Sequence, residues 1–170
     1  MKNSNEKMNG MPNAHLHELF VNELNYMLSG EKQLVDALDE MSQTASNKKL
    51  KEAFKDHKMQ SEGHVKKLQS VFQSIDVPEK EEKCKSIESL IREGKEMAKD
   101  FQGDDALDAA LIAAAQKIEH YEIASYGSLV TYAELMKHDE AREILAQILS
   151  EEKEADEKLT HIATSDVNES

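Results

Sequence analysis

The sequence predicts an all-α bundle of two long antiparallel helical hairpins, and three observations lead there. Helix breakers are scarce, with two Pro and six Gly in 170 residues. Apolar residues recur at three- and four-residue spacing over stretches far longer than a strand. The two pairs of long stripes are separated by a linker of roughly 28 residues, longer than a simple helix–helix turn needs.

Residues 1–14 are polar, include Pro12, and are expected to be a flexible tail. From His15 the apolar positions Leu16, Phe20, Leu24, Met27, Leu28, Leu34, Val35, Leu38 and Met41 predict a first helix to about residue 43. Ser46 is the expected N-cap of the second. Its stripe, Leu50, Phe54, Val65, Leu68, Phe72 and Ile75, stops before Val77-Pro78, where proline disfavours further helix.

Residues 78–85 are charged and expected to loop. Ser86 can cap a shorter helix with Ile87, Leu90, Ile91, Met97, Ala98 and Phe101 on one face, ended by Gly103. Asp104 or Asp105 can cap the next helix, striped by Leu107, Leu111, Ala115, Ile118, Leu129 and Ala133. After a break at Lys137-His138, Asp139 is the expected cap of a last helix carrying Ile144, Leu145, Ile148, Leu149, Leu159 and Ile162. Residues 165–170 are expected to fray, which puts the folded domain at 15–164. A linker holding its own helix can cross the length of the bundle, and this topology is ferritin-like.

Composition narrows the partners. Lys plus Arg is 21 and Asp plus Glu is 34, a net charge of -13, which repels nucleic acid and anionic membranes. The single cysteine, Cys84, excludes an intramolecular disulfide and a thiolate zinc site, and its charged loop predicts an accessible thiol. There is no apolar run of ~18 residues and no apolar segment of a secretory signal. The expected location is cytoplasmic.

Carboxylates occupy the wrong helix face. At about 100° per residue, Glu31 falls inside the first stripe. His57, Ser61 and His64 lie between Phe54 and Leu68. Glu122 lies between Ile118 and Leu129 with Glu119 one turn earlier, and Glu152 and Asp156 lie among Ile148, Leu149 and Leu159. An ionised carboxylate in a dry core is very costly unless paired or bound to metal. At ~1.5 Å rise per residue, each group lies about 20–28 Å from its hairpin end, so all meet at mid-bundle. Glu23 lies ~12 Å from Glu31 along the helix and belongs to another layer.

Convergent acids and imidazoles at one level are what a di-iron or di-manganese carboxylate centre requires. The candidate ligands are therefore Glu31, His57, His64, Glu119, Glu122, Glu152 and Asp156. The usual pattern is one Glu on each of two helices and Glu-x-x-His on the others. Here Ser61-x-x-His64 lacks the acid, and Glu152-x-x-x-Asp156 lacks the His. The set can hold two metals, one metal, or only a proton-shared acid cluster. Tyr126, one turn past Glu122, is placed to hydrogen-bond a ligand or to fill the core. Glu62 and His120 point away from their stripes.

The run from Ala109 to Gly127, AALIAAAQKIEHYEIASYG, resembles the YciF/YciE-type family of bacterial stress proteins. So do Leu19-Phe20 with Glu23-Leu24, Glu31-Lys32-Gln33-Leu34, Lys83-Cys84, and Glu151-Glu152-Lys153 with Asp156. The resemblance covers residues 15–163. It implies a ferritin-like fold, a homodimer, a bacterial cytoplasm and an association with stress, and it supplies no reaction. Two functions stay open. One is a metalloprotein meeting O2, peroxide or Fe(II). The other is a non-enzymatic stress or structural protein acting through dimerisation or partner binding.

Overall fold

Each long apolar stripe folds as one helix. The computed structural model describes residues 14–167. Its elements are α1 (Ala14–Thr44), α2 (Lys48–Ser74), α3 (Lys85–Asp100), α4 (Leu107–Leu135) and α5 (Asp139–Ile162), followed by a π-helical turn (Ala163–Val167). The expected tail falls outside the described residues except for Ala14, which is already helical. At the other end the chain does not fray at 165, because Val167 is buried against the core. Among the described residues no helix is long and apolar enough to cross a membrane.

The caps differ from expectation where tertiary partners intervene. Asn47, not Ser46, caps α2, its side chain accepting from the N–H groups of Lys49 and Leu50. The N–H groups of Ser46 and Asn47 each donate to the buried Asp108 carboxylate at 2.7 Å, tying this turn to the start of α4. Helix α3 starts at Lys85, before Ser86, with no side-chain cap bond from Cys84. Asp104 accepts from the Ala106 N–H instead of capping α4 directly. His138 holds the cap position of α5, and Asp139 and Glu140 sit in its first turn, where the helix dipole favours acids.

The four long helices close a square in the order α1, α2, α5, α4, with neighbours packed side by side. All four neighbouring pairs run antiparallel. Asp108 at the start of α4 meets the end of α1, and Lys67 and Lys158 reach Glu151 on α5 and Asp56 on α2 respectively. Helix α2 ends at the opposite end of the bundle from where α4 begins, so residues 75–106 must climb its full length. This is the ferritin-like arrangement.

The crossover is stitched to α1 at successive turns. The Lys80 N–H donates to Asn25 at 2.7 Å and the Cys84 N–H to Ser29 at 3.1 Å. Gln33 Nε2 donates to the Cys84 carbonyl at 3.3 Å. These bonds turn Cys84 inward, so the thiol expected to be accessible is buried, with Sγ 3.6 Å from Tyr121 Oη. Helix α3 then lies close on the bundle. A Cβ at Gly94 would stand 2.9 Å from Ala114 Cβ, so glycine permits the approach.

The apolar core is not continuous. One cluster holds Leu34, Leu38, Leu50, Phe54, Leu111, Ile118 and Leu159. The other holds Phe20, Leu24, Leu68, Phe72, Leu129, Leu145 and Ile148. Each fully buried side chain of this kind contributes roughly 1.5–3 kcal/mol. A polar layer lies between the two clusters.

Candidate metal centre

Every long helix sends a group into that layer. Helix α1 supplies Glu31, α4 supplies Glu119 and Glu122, and α5 supplies Glu152. Helix α2 supplies His57, Ser61 and His64, whose four- and three-residue spacing keeps them on one face. All are buried.

Two sets of donor atoms lie within 4.8 Å of one another: His57, Glu119, Glu122 and Glu152, and then Glu31, His64 and Glu152. Glu152 belongs to both. Asp156 is not brought in, a correction to the ligand set read from sequence. Four residues past Glu152 on α5, it is turned about 40° further around the helix. It faces the outer groove between α4 and α5, with Oδ1 taking Gln116 Nε2 at 3.2 Å and Oδ2 lying 3.1 Å from His120 Nε2.

The half around His64 is closed by contacts within the chain. His64 Nδ1 lies 3.2 Å from Glu31 Oε1 and 2.9 Å from Glu152 Oε1. Its Nε2 lies 2.7 Å from Glu151 Oε2, and Glu151 also accepts from Lys67 Nζ at 2.6 and 2.8 Å. Tyr126 Oη donates to Glu31 Oε1 at 2.6 Å. Helical periodicity does not mark Glu151 as a residue that supports a ligand. Its one available signal is register, since pairing α2 with α5 antiparallel puts it beside His64 and Lys67.

The half around His57 is looser. His57 Nε2 is 3.0 Å from Glu119 Oε1 and 3.8 Å from Glu152 Oε2, and Nδ1 is 3.4 Å from Gln60 Oε1. The 3.0 Å approach to Glu119 is an ion-pair distance without hydrogen-bond alignment, so His57 Nε2 has no hydrogen-bond partner. The same holds for Glu152 Oε1 beside His64.

Among the described residues, every buried side-chain nitrogen or oxygen without a hydrogen-bond partner belongs to this layer. They are Glu31 Oε2, His57 Nε2, Ser61 Oγ, Glu119 Oε2, and both oxygens of Glu122 and of Glu152. Such groups ordinarily find partners, because an unsatisfied buried polar atom costs about 1–3 kcal/mol. Lone pairs that converge without bonding one another fit a cation better than they fit each other.

Protonation follows from burial and crowding. Burial, then the charges of Glu31, Glu152 and Glu119, push the Glu122 carboxyl well above its usual range. Burial lifts Glu152 to about 8 against the opposing pull of His64. For His57 burial favours the neutral ring, but Glu119, Glu152 and Glu31 together raise it to about 9. For His64 burial acts the same way, and Glu152 and Glu31 raise it to about 10. Without a cation, these shifts favour imidazolium at both histidines and a protonated carboxyl at Glu152 and Glu122. With the imidazoles neutral and all four carboxylates ionised, the layer can instead hold a metal ion.

The chain matches the family described as domain of unknown function DUF892 over residues 15–170. It is 41% identical to Protein YciF of Escherichia coli (strain K12) over 154 residues, 90% of this chain and 93% of that protein. The crystal structure of the E. coli stress protein YciF matches with a TM-score of 0.87 at 40% identity, covering 91% of this chain and 98% of that one. The structure of YcfI from Rhodopseudomonas palustris matches with a TM-score of 0.83 at 34% identity, covering 85% and 92%.

Proposed function

We propose that this chain, which belongs to the DUF892 family, is a stress-response metalloprotein holding two divalent cations, iron or manganese, in its polar layer. The observation that carries this is the convergence of all the orphaned buried polar atoms on one level. Four carboxylates neutralise two divalent cations, and oxygen with imidazole suits iron or manganese. His57, Glu119 and Glu122 would hold one cation, Glu31 and His64 the other, and Glu152 would be shared. Such a pair, when bound, supplies redox chemistry toward O2, peroxide or Fe(II).

The chain's own residues prepare this. Glu151 holds His64 by Nε2, leaving Nδ1 to face inward, the arrangement that orients a ligating imidazole. Tyr126 holds Glu31. The apolar clusters on either side exclude water. Ser61 presents a hydroxyl where a second shared carboxylate would stand, so only Glu152 links the two halves. The protein works in the cytoplasm as a homodimer.

The test is titration of metal-free protein with Fe(II) under anaerobic conditions, or with Mn(II), followed by calorimetry and elemental analysis. Two ions per chain and a raised melting temperature are expected. Failure of both metals to bind or to shift melting would overturn the reading.

A second reading rests on the protons that burial and crowding hold on Glu122, Glu152 and the two histidines. In it the layer fixes helix register, and the protein acts through its surface without chemistry. Replacing Glu122 and Glu152 together by Gln separates the two. Stress tolerance retained in cells, with the fold intact, supports the second reading; tolerance lost supports the first.

A further inference from the structure

We propose that a small cavity beside His57 is the route by which divalent cations reach the centre, and that the Asp56–Lys158 ion pair gates it. This rests on the metal reading above and concerns how the site is filled.

Within the layer, Glu31, Ser61, His64, Glu122 and Glu152 are 0% exposed and Glu119 is 1%. His57 is 6% exposed and so is the member that solvent touches most. His57 lines a cavity of about 30 Å³ formed by α2, α4 and α5 with Leu38 of α1. Its walls are apolar, including Leu38, Ala53, Phe54, Ala115 and Leu159. His57 and Glu119 line it from the centre, and Asp56, Gln60 and Lys158 line it from the exposed side. The volume suits one or two water-sized bodies. A cation using it must shed most of its hydration shell, and the oxygens of Asp56 and Gln60, then His57 and Glu119, stand in sequence to replace the lost waters.

The ion pair sits at this mouth. Lys158 Nζ lies 2.8 Å from Asp56 Oδ2, with side chains 49% and 46% exposed. An exposed pair of this kind is worth only about 0–1 kcal/mol, so it opens readily. Closed, it puts an ammonium in the path of a cation and occupies the carboxylate that would receive one. Open, it frees Asp56 to capture a cation from water. On the outer side of His64, Glu151 instead bonds both to the imidazole and to Lys67, so that carboxylate is held by two partners.

The experiment follows uptake of Co(II) by metal-free protein in stopped flow, read as growth of the visible absorption of bound Co(II). Stoichiometry and affinity are measured separately at equilibrium. Lys158→Gln should speed uptake by about threefold to tenfold, and Asp56→Asn should slow it by a similar factor, both effects shrinking at high salt. Affinity and stoichiometry should stay unchanged, since neither residue holds the bound cation. Lys117→Gln removes one positive charge from a lysine paired with Glu93 on α3, and it should leave the rate unaltered. Uptake at the unaltered rate in both mouth variants, or an equal acceleration in Lys117→Gln, overturns the gate while leaving the metal centre standing. No Co(II), Fe(II) or Mn(II) taken up by the unaltered protein overturns the metal centre and the route with it.

Discussion

The two halves of the polar layer share Glu152 but are finished differently. Around His64, the imidazole, Glu31, Glu151, Tyr126 and Lys67 form a connected set of hydrogen bonds and ion pairs. Around His57, the imidazole Nε2, Glu119 Oε2 and both Glu122 oxygens find no hydrogen-bond partner, and a cavity leads outward. The same physical problem, charge out of water, is met in one half by protein partners and left in the other for protons or a cation. The His64 half acts as a fixed platform and the His57 half as the part that responds.

The contrast can be broken most sharply at the shared residue. Glu152→Ala should abolish cation binding in both halves and remove any metal-dependent rise in melting temperature, checked by calorimetry and thermal melts. Loss of only one ion would show that the halves are independent. Next in size is the difference between the two histidines in metal-free protein. His64→Ala strands Glu31 and Glu151 and should destabilise by about 3–5 kcal/mol. His57→Ala relieves an already loose half and should cost about 1–2 kcal/mol less than that, both read by urea denaturation.

A pH series tests the responding role. His57 and His64 have folded values raised from 6.5 to about 9 and about 10, so their stabilisation is complete below 6.5 and is lost as pH climbs through those values. Glu152, raised to about 8, and Glu122, raised well above 4.5, keep protons that the unfolded chain has released. All four act in the same direction. The melting temperature of metal-free protein should fall between pH 6.5 and 9, and loading should flatten that slope. At pH 7, loading should release protons from His57, His64 and Glu152, with Glu122 adding to them, measured with an indicator in weak buffer.

The smallest effects come from the periphery of each half. Tyr126→Phe removes one buried bond to Glu31 and should cost about 1–3 kcal/mol, with weakened binding. Asp156→Asn touches only the outer groove with His120 and should change stability by less than about 1 kcal/mol and leave metal stoichiometry alone.

The long helices and their common polar depth were legible because stripe and rise are local arithmetic. Glu31, His57, His64, Glu119, Glu122 and Glu152 meet where that arithmetic put them. It failed for Asp156 because a 40° turn is smaller than the width of an apolar stripe, and only packing decides which neighbour lies along it. It failed for Cys84 because charge in a loop speaks for the loop's outer side, while Ser29 and Gln33 draw the backbone inward. Ser46 lost the cap to Asn47 because a carboxylate sixty residues away claims the turn's amides. Such long-range bonds leave no trace in spacing.

The interruption of the apolar core has a consequence for how the molecule comes apart. Two hydrophobic blocks at opposite ends, joined by a layer that protons can rearrange, are natural units of partial opening. The hairpins bind them lengthwise, but only the middle couples one end's fluctuations to the other's. Two cations, one held by His57, Glu119 and Glu122 and the other by Glu31 and His64, with Glu152 shared, would together tie all four helices at their midpoints. Filling the site would then change the cooperativity of the whole chain, so that the ends breathe together rather than separately.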